Sequence, residues 1–153
     1  MRKLIAAITL VAALVTVPLA TGYASKTKTT KLKAALNIGQ EKPVPKGTKL
    51  GASGSFRATV TGTTITWTLT YTHLSGPAMA AHIHAGARGV NGPVMIGLCG
   101  VTGAPACTSG MHGTATATAD QLKAIMAGKT YVNVHTTKNP NGEIRGQVTK
   151  ALG

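Results

Sequence analysis

Three histidines stand in two short segments whose spacing suits metal binding. The segments are residues 81–86, Ala-His-Ile-His-Ala-Gly, and residues 131–136, Tyr-Val-Asn-Val-His-Thr. Both alternate as β-strands do, so His82 and His84 share one face of the first strand, and His135 lies opposite the two valines of the second. If the two strands are neighbours, the three imidazoles converge and can bind one transition-metal ion.

Copper is the candidate cofactor of such a site. Imidazole nitrogen suits copper, which heads the stability order of the common divalent metals. His82, His84 and His135 are the candidate ligands, and His112 is either a fourth ligand or a loop histidine. Protons compete with metal for imidazole, so we expect copper binding to weaken below about pH 6.5.

The rest of the chain must supply the sheet that positions these side chains. The run Thr64–Thr72 alternates most regularly, and with residues 55–61 it forms a predicted hairpin around Gly62. One short helix is predicted from Thr118, its N-cap, to Gly128. Further strands are predicted at residues 31–36, 79–84, 94–98, 114–118, 129–135 and 143–149. Many short strands and one short helix indicate an all-β fold, a Greek-key β-sandwich or barrel of the immunoglobulin-like or superoxide dismutase-like kind.

The first 24 residues have the pattern of a secretory signal peptide. A charged start is followed by an apolar run at residues 4–17 and by Gly22-Tyr23-Ala24, which supplies the small residues of a cleavage site. The apolar run is short for a membrane span of about 20 residues. We therefore expect cleavage after Ala24, a secreted protein (extracellular or periplasmic), and no transmembrane anchor after cleavage.

The cysteine content agrees with export. Cys99 and Cys107 are the two cysteines of the chain, and in an oxidising compartment they are close enough in sequence to pair and close a short loop. Their spacing does not match the Cys-x-x-Cys motif of redox or metal sites, so a structural disulfide is predicted. Residues 25–30 are predicted to be a disordered basic tail, and residues 31–150 the β-sandwich domain.

The charge of the chain is strongly positive. Sixteen Lys and Arg residues face three Asp and Glu residues, which gives a formal net charge of +13. This balance favours an anionic polymer or surface as partner, and the simpler interpretation is a basic soluble surface. Nucleic acid is not expected, because aromatic residues make up 3% of the chain and offer no stacking platform. No catalytic constellation is visible, so the sequence does not favour an enzyme.

The chain resembles the CHRD domain, which occurs in the growth-factor antagonist chordin and in many secreted microbial proteins. The matching segments follow in family order and span nearly all of the chain after residue 30. They are Leu36 with Gly39-Gln40-Glu41-Lys42-Pro43, Leu74-Ser75-Gly76 with residues 81–86, Gly92-Pro93-Val94, and Ala127-Gly128 with residues 131–136 and 139–147. The resemblance implies a secreted β-domain with no established catalytic role. Lys42, where an apolar residue is more usual, and the segment from Cys99 to Cys107 depart from the family pattern.

A weaker resemblance is to the copper–zinc superoxide dismutases. Those enzymes hold copper with a His-x-His on one strand and a Val-x-His on another, and the matching positions here are His82, His84 and His135. The zinc half has no counterpart, because no run of histidines follows His84 and Asp120 is the sole Asp of the chain.

Two functional hypotheses follow. In the first, the protein is a non-catalytic extracellular binding or structural module with an unknown partner. Its histidines then make hydrogen bonds, with Asn133 as a candidate partner, while Glu143 and Arg145 form a surface ion pair worth less than about 1 kcal/mol. In the second, the histidines hold copper for storage, delivery or superoxide dismutase-like chemistry, and Arg145 or the lysines steer an anion inward.

Overall fold

The computed structural model of the protein describes residues 27–151. The predicted signal peptide and the first two residues of the predicted basic tail lie outside this range. Within it, the strands are β1 (Thr29–Asn37), β2 (Ser53–Thr61), β3 (Thr64–Thr72), β4 (Ala78–Ala85), β5 (Val94–Cys99), β6 (Met111–Thr116), β7 (Thr130–Thr136), β8 (Ile144–Gln147) and β9 (Thr149–Lys150). Helix α1 (Ala119–Met126) lies between β6 and β7, and a 3₁₀ turn (Ile38–Gln40) follows β1.

All of these strands belong to one antiparallel sheet. Their order is β5-β4-β7-β8-β1-β2-β3-β6, and the short β9 also pairs with β1. The sheet curls until it is nearly closed into a barrel, with β5 and β6 as its two edge strands. The prediction of an all-β fold with one short helix is confirmed.

The chain crosses between the two halves of this sheet several times. Strands β1, β2 and β3 are consecutive neighbours, after which the chain crosses to β4 and β5 and then returns to place β6 beside β3. After α1, β7 pairs with β4, and β8 fills the position between β7 and β1. Strands β4 and β7, which are far apart in sequence, therefore become direct neighbours.

The core comes from the strict alternation of the strands. In β3, Ile65, Trp67 and Leu69 are buried while the threonines between them are exposed. Burial of side chains of this size stabilises the fold by roughly 1.5–3 kcal/mol each. Helix α1 adds Ile125 to the core, and it begins with the predicted cap, because Thr118 and Gln121 form a capping box.

Strand boundaries differ from the predictions where tertiary pairing decides them. Strand β1 begins at Thr29, which pairs with Thr61, so the last two residues of the predicted tail belong to the sheet. Strand β6 begins at Met111 because it continues to pair with β3 up to Leu69. The predicted final strand is divided at Val148, which is buried and donates its backbone N–H to Thr130 O.

The predicted disulfide between Cys99 and Cys107 is present, with the two Cα atoms 5.1 Å apart. It ties the end of edge strand β5, where Cys99 is fully buried, to the loop that leads to β6. Across residues 27–151, no helix combines the length and apolar character that a membrane span requires.

Candidate metal centre

The pairing of β4 with β7 brings the two histidine segments together. His82 lies opposite Asn133, His84 opposite Tyr131, and Ala80 opposite His135. The alternate residues of both strands, such as Ile83, are buried in the core. The histidines therefore share the face of the sheet that points away from the core, as the alternation predicted.

The three imidazoles form one compact cluster. The ring centres of His82 and His135 are 4.9 Å apart, those of His82 and His84 5.4 Å, and those of His84 and His135 6.0 Å. One ring nitrogen from each residue lies within 4.8 Å of the other two. Nδ1 of His82 is 3.0 Å from Nε2 of His135, so these two rings share a hydrogen bond.

Backbone carbonyls fix the orientation of two of the rings. Nδ1 of His84 donates to Gly92 O at 3.0 Å, and Nδ1 of His135 donates to Pro140 O at 2.8 Å. Because a carbonyl oxygen only accepts, each Nδ1 carries the proton and each Nε2 is left as an unprotonated acceptor. Nε2 of His84 is buried and has no hydrogen-bond partner among the described residues. Carbonyl-oriented imidazoles of this kind are typical of metal ligands.

Burial keeps all three imidazoles neutral at pH 7. It lowers the pKa of His82 to about 4, with further lowering by the neighbouring His135 and His84. Burial also lowers the pKa of His84 and of His135, although the hydrogen bonds to Gly92 and Pro140 partly oppose this. Neutral imidazole is the form that binds a metal ion.

Two side chains, Tyr131 and Arg145, stack in turn beside the His84 ring. The ring of His84 lies parallel to that of Tyr131, at 4.9 Å between ring centres and 8° between planes. The guanidinium carbon of Arg145 lies 3.4 Å from the centre of the Tyr131 ring. Arg145 also donates to Asn91 Oδ1 at 2.8 Å and to Val90 O at 2.8 Å. These contacts hold the loop that carries Gly92, the hydrogen-bond acceptor of His84.

The domain as a whole matches a known protein family. The model of the CHRD domain matches residues 32–148. The chain belongs to the CHRD-domain family. No curated protein and no solved structure matches it.

The segments that carried the CHRD resemblance surround the histidines. The segment at residues 39–43 supplies Glu41, the segment at 92–94 supplies Gly92, and the last segment supplies Asn133 and His135. Asn133 Nδ2 donates to Oε1 of Glu41 at 2.5 Å. The segments that carried the CHRD resemblance therefore meet at one place in the fold.

Glu41 is a site residue to which the sequence analysis assigned no role. The residue is 4% exposed, and burial raises the pKa of its carboxyl group to about 7, against the attraction of Arg145 and the hydrogen bond from Asn133. Glu41, Asn133 and His84 line one open cleft of about 350 Å³. The location of Glu41 in a CHRD segment was the one available signal, because neither spacing nor composition predicts its burial.

Gly142 permits the contact between Glu41 and Asn133. It has φ = 125°, which side chains rarely adopt, and a Cβ atom there would lie 2.4 Å from Asn133 Nδ2 and 2.8 Å from Glu41 Oε1. The predicted turn at residues 139–142 thus closes over the site with its glycine against the carboxyl group.

The prediction of a surface ion pair between Glu143 and Arg145 is wrong. Glu143 is 0% and Arg145 is 1% exposed, because loops cover this part of the sheet. Glu143 accepts hydrogen bonds from Ser75 N at 2.7 Å, Thr136 Oγ1 at 2.6 Å and Asn139 Nδ2 at 3.0 Å. Burial acts to raise the pKa of Glu143, but these hydrogen bonds outweigh it and the net pKa is lowered. Glu143 and Arg145 therefore each bind other partners in the fold instead of pairing with each other.

His112 does not join the cluster. It is exposed on β6, opposite Thr68 of β3, and the group of converging ligand atoms contains His82, His84 and His135. His112 was predicted to be either a fourth ligand or a loop histidine. It is neither, because it lies on a strand and outside the three-imidazole group.

Proposed function

We propose that this CHRD domain binds a copper ion through His82, His84 and His135. The observation that carries the proposal is the convergence of one nitrogen from each residue within 4.8 Å. Metal–nitrogen bonds of about 2 Å separate two ligand nitrogens by roughly 3–4 Å. Adjustments of about 1 Å in ring position are enough to reach that geometry.

The donor set favours copper over other metals. All three ligands are imidazoles, and both cysteines are held in the disulfide, so no thiolate competes. Since Nε2 of His135 is an acceptor, Nδ1 of His82 donates the hydrogen bond between them. To serve as a metal ligand through Nδ1, His82 would adopt the tautomer that carries its proton on Nε2. Nitrogen-only sites of this kind bind Cu²⁺ more tightly than Zn²⁺.

Copper storage or delivery fits the surroundings better than superoxide chemistry. Three protein ligands leave a coordination position open, as transfer to a partner requires. Arg145, one of the two candidates for steering an anion (the other being the lysines), is buried and contacts Asn91 and the Tyr131 ring. It is therefore poorly placed to attract superoxide from solution.

Copper binding is testable with the full chain in its metal-free form. Calorimetric titration with Cu²⁺ at pH 7 should give one site per chain, and Zn²⁺ should bind more weakly. His84→Ala and His135→Ala should each weaken copper binding by at least about 100-fold. Mutation of a residue that only orients a ligand already lowers metal affinity by about 10–100-fold, and removal of the ligand itself should cost more. His112→Ala is the matched control and should bind as the wild type does.

Two results would contradict the proposal. One is equal copper binding by the wild type, His84→Ala and His135→Ala; the other is an equal loss in His112→Ala. Circular dichroism of each variant separates lost ligands from lost folding. If copper does not bind, the hydrogen bonds of the histidines support the alternative of a non-catalytic binding or structural module.

We also infer that the protein is exported. The Cys99–Cys107 disulfide supports this inference, because disulfides persist in oxidising compartments. N-terminal sequencing of protein from the culture medium or periplasm should begin near Ser25. A full-length chain retained in the membrane would contradict it.

A further inference from the structure

Two exposed cations face each other across the β1–β2 pair. Lys33 and Arg57 occupy directly opposed positions in the register, and both are exposed. Like charges in this position destabilise a strand pair. Lys31, two residues along β1 and about 7 Å away, adds a third exposed cation.

The chain has almost no exposed carboxylate to balance these cations. It contains three acidic residues, and two of them, Glu41 and Glu143, are buried. The third, Asp120, lies in the first turn of α1. The single exposed acidic side chain cannot neutralise the cations of β1 and β2, so an anionic partner is favoured at this surface.

The cations continue along three clefts, of which each shares lining residues with the next. Lys33 and Arg88 line a cleft of about 320 Å³. Arg88 and Lys42 line the next, of about 220 Å³, and Lys42 also lines the histidine cleft. Arg88 is oriented by a hydrogen bond from its Nη1 to Gln40 Oε1 at 3.3 Å. We call Lys31, Lys33, Lys42, Arg57 and Arg88 together the basic track.

Hydroxyl groups lie beside the start of the basic track. A cleft of about 300 Å³ is lined by Lys31 and Arg57 together with Thr59, Thr66 and Thr68. Threonine hydroxyls both donate and accept hydrogen bonds. This surface therefore offers charge for acidic groups and hydrogen bonds for neighbouring hydroxyls.

We propose that the basic track binds an anionic polysaccharide. The Cα atoms of Lys33 and Arg57 lie about 5 Å apart across the strands, and those of Lys31 and Lys33 about 7 Å apart along β1. A chain that carries acid groups at regular intervals can therefore contact several of these flexible cations. The threonine hydroxyls contact the sugar hydroxyls between those groups. This function is separate from copper binding. It would anchor the domain to a polymer, with the histidine cleft next to Lys42 at one end of the basic track.

Binding of the metal-free full chain to polygalacturonate, measured by calorimetry at several salt concentrations, tests the proposal. The double variant Lys33→Gln/Arg57→Gln should bind about tenfold more weakly and lower the slope of log K against log salt by about 2, one for each lost ionic contact. The matched control is Lys123→Gln/Lys129→Gln, which loses the same two charges at exposed lysines that line none of the clefts of the basic track. It should stay within about twofold of the wild type.

Several outcomes would overturn the assignment. These are no binding to polygalacturonate, an equal loss in both double variants, or equal competition by neutral dextran. Tighter binding to polyphosphate, a polyanion without sugar, would contradict the polysaccharide as ligand. The track variant removes a repulsive pair from an exposed surface, so its melting temperature should equal or exceed that of the wild type. Because no copper is present, a negative result leaves the copper proposal unaffected.

Discussion

Strands β3 and β7 alternate in the same way, but the outer face of β3 is exposed to solvent whereas that of β7 is covered. On β3, the residues that point away from the core are threonines, such as Thr66 and Thr68, and they are exposed. On β7, the equivalent face carries Tyr131 and Asn133, which are buried, and His135, which is partly buried. The alternation of a strand therefore determines which side chains share a face, but not whether that face meets solvent.

The loops produce this difference. The loop between β4 and β5 places Gly92 against His84, and the turn after β7 places Pro140 against His135. The outer face of β3 instead meets the neighbouring outer faces of β2 and β6, with threonines opposite one another at Thr59↔Thr66 and Thr66↔Thr114. Covered polar groups need defined partners and have shifted pKa values, whereas the threonine face interacts mainly with water.

The largest effect should come from removing a buried carboxylate beneath the covered face. Glu143→Ala leaves Ser75 N, Thr136 Oγ1 and Asn139 Nδ2 without their acceptor. Hydrogen bonds to charged groups contribute about 1.5–3 kcal/mol each, so the free energy of unfolding should fall by about 3 kcal/mol or more. Urea denaturation at pH 7 measures this change. A loss below about 1 kcal/mol would show that the covered face tolerates change as an exposed one does.

Replacement of Glu41 by a side chain that cannot ionise should have the second-largest effect on stability. Because its folded-state pKa is raised from 4.5 to about 7, the folded protein loses stability as the pH rises through that range and keeps the penalty above it. Glu41→Gln should therefore be more stable than the wild type at pH 8, by about 2 kcal/mol, and show little gain at pH 4. Thermal unfolding at both pH values gives the comparison. A constant difference between the two proteins would disprove the pKa assignment.

Replacement of His82 should have the third-largest effect, with a pH dependence opposite to that of Glu41→Gln. The folded-state pKa of His82 is lowered from 6.5 to about 4, so the metal-free protein should lose stability as the pH falls from 6.5 towards 4. His82→Gln, which retains a donor for His135, should lose about 1–2 kcal/mol less over that range. Denaturant titrations at pH 6.5 and pH 4.5 compare the two proteins. Parallel losses would show that His82 titrates normally.

The same lowered pKa values change our expectation for copper. Ordinary histidines predict weaker copper binding below about pH 6.5, whereas the buried cluster should retain copper to a lower pH. Calorimetric titrations with Cu²⁺ at pH 7, 6 and 5 should show little loss between the first two values. A decline that begins at pH 6.5 would indicate exposed, solvated imidazoles.

The smallest effect should come from the exposed face. Thr66→Ala and Thr68→Ala remove hydroxyls that point to solvent, and each should change the free energy of unfolding by no more than about 0.5 kcal/mol. The same urea denaturation serves as the readout. A loss comparable to that of Glu143→Ala would remove the distinction between the two faces.

Much of this molecule was predictable from local pattern. The hairpin of β2 and β3, the capped helix after Thr118, the Cys99–Cys107 disulfide and the common face of His82 and His84 all follow from interactions between residues close in sequence. Periodicity, turn chemistry and short loop closure act over these distances, so the sequence alone specifies their outcome.

Only the tertiary structure decided how distant segments meet. The sequence left open whether the strand of His135 is the neighbour of the strand of His82 and His84. It predicted Glu143 and Arg145 at the surface, and it indicated no role for Glu41. Each depends on a strand crossing or on a loop folding over the sheet, and alternation within one strand contains no information about what covers it. The amino-acid sequence thus determined the strands and the residues they present, while packing between segments distant in sequence determined that three imidazoles converge at one partly buried site.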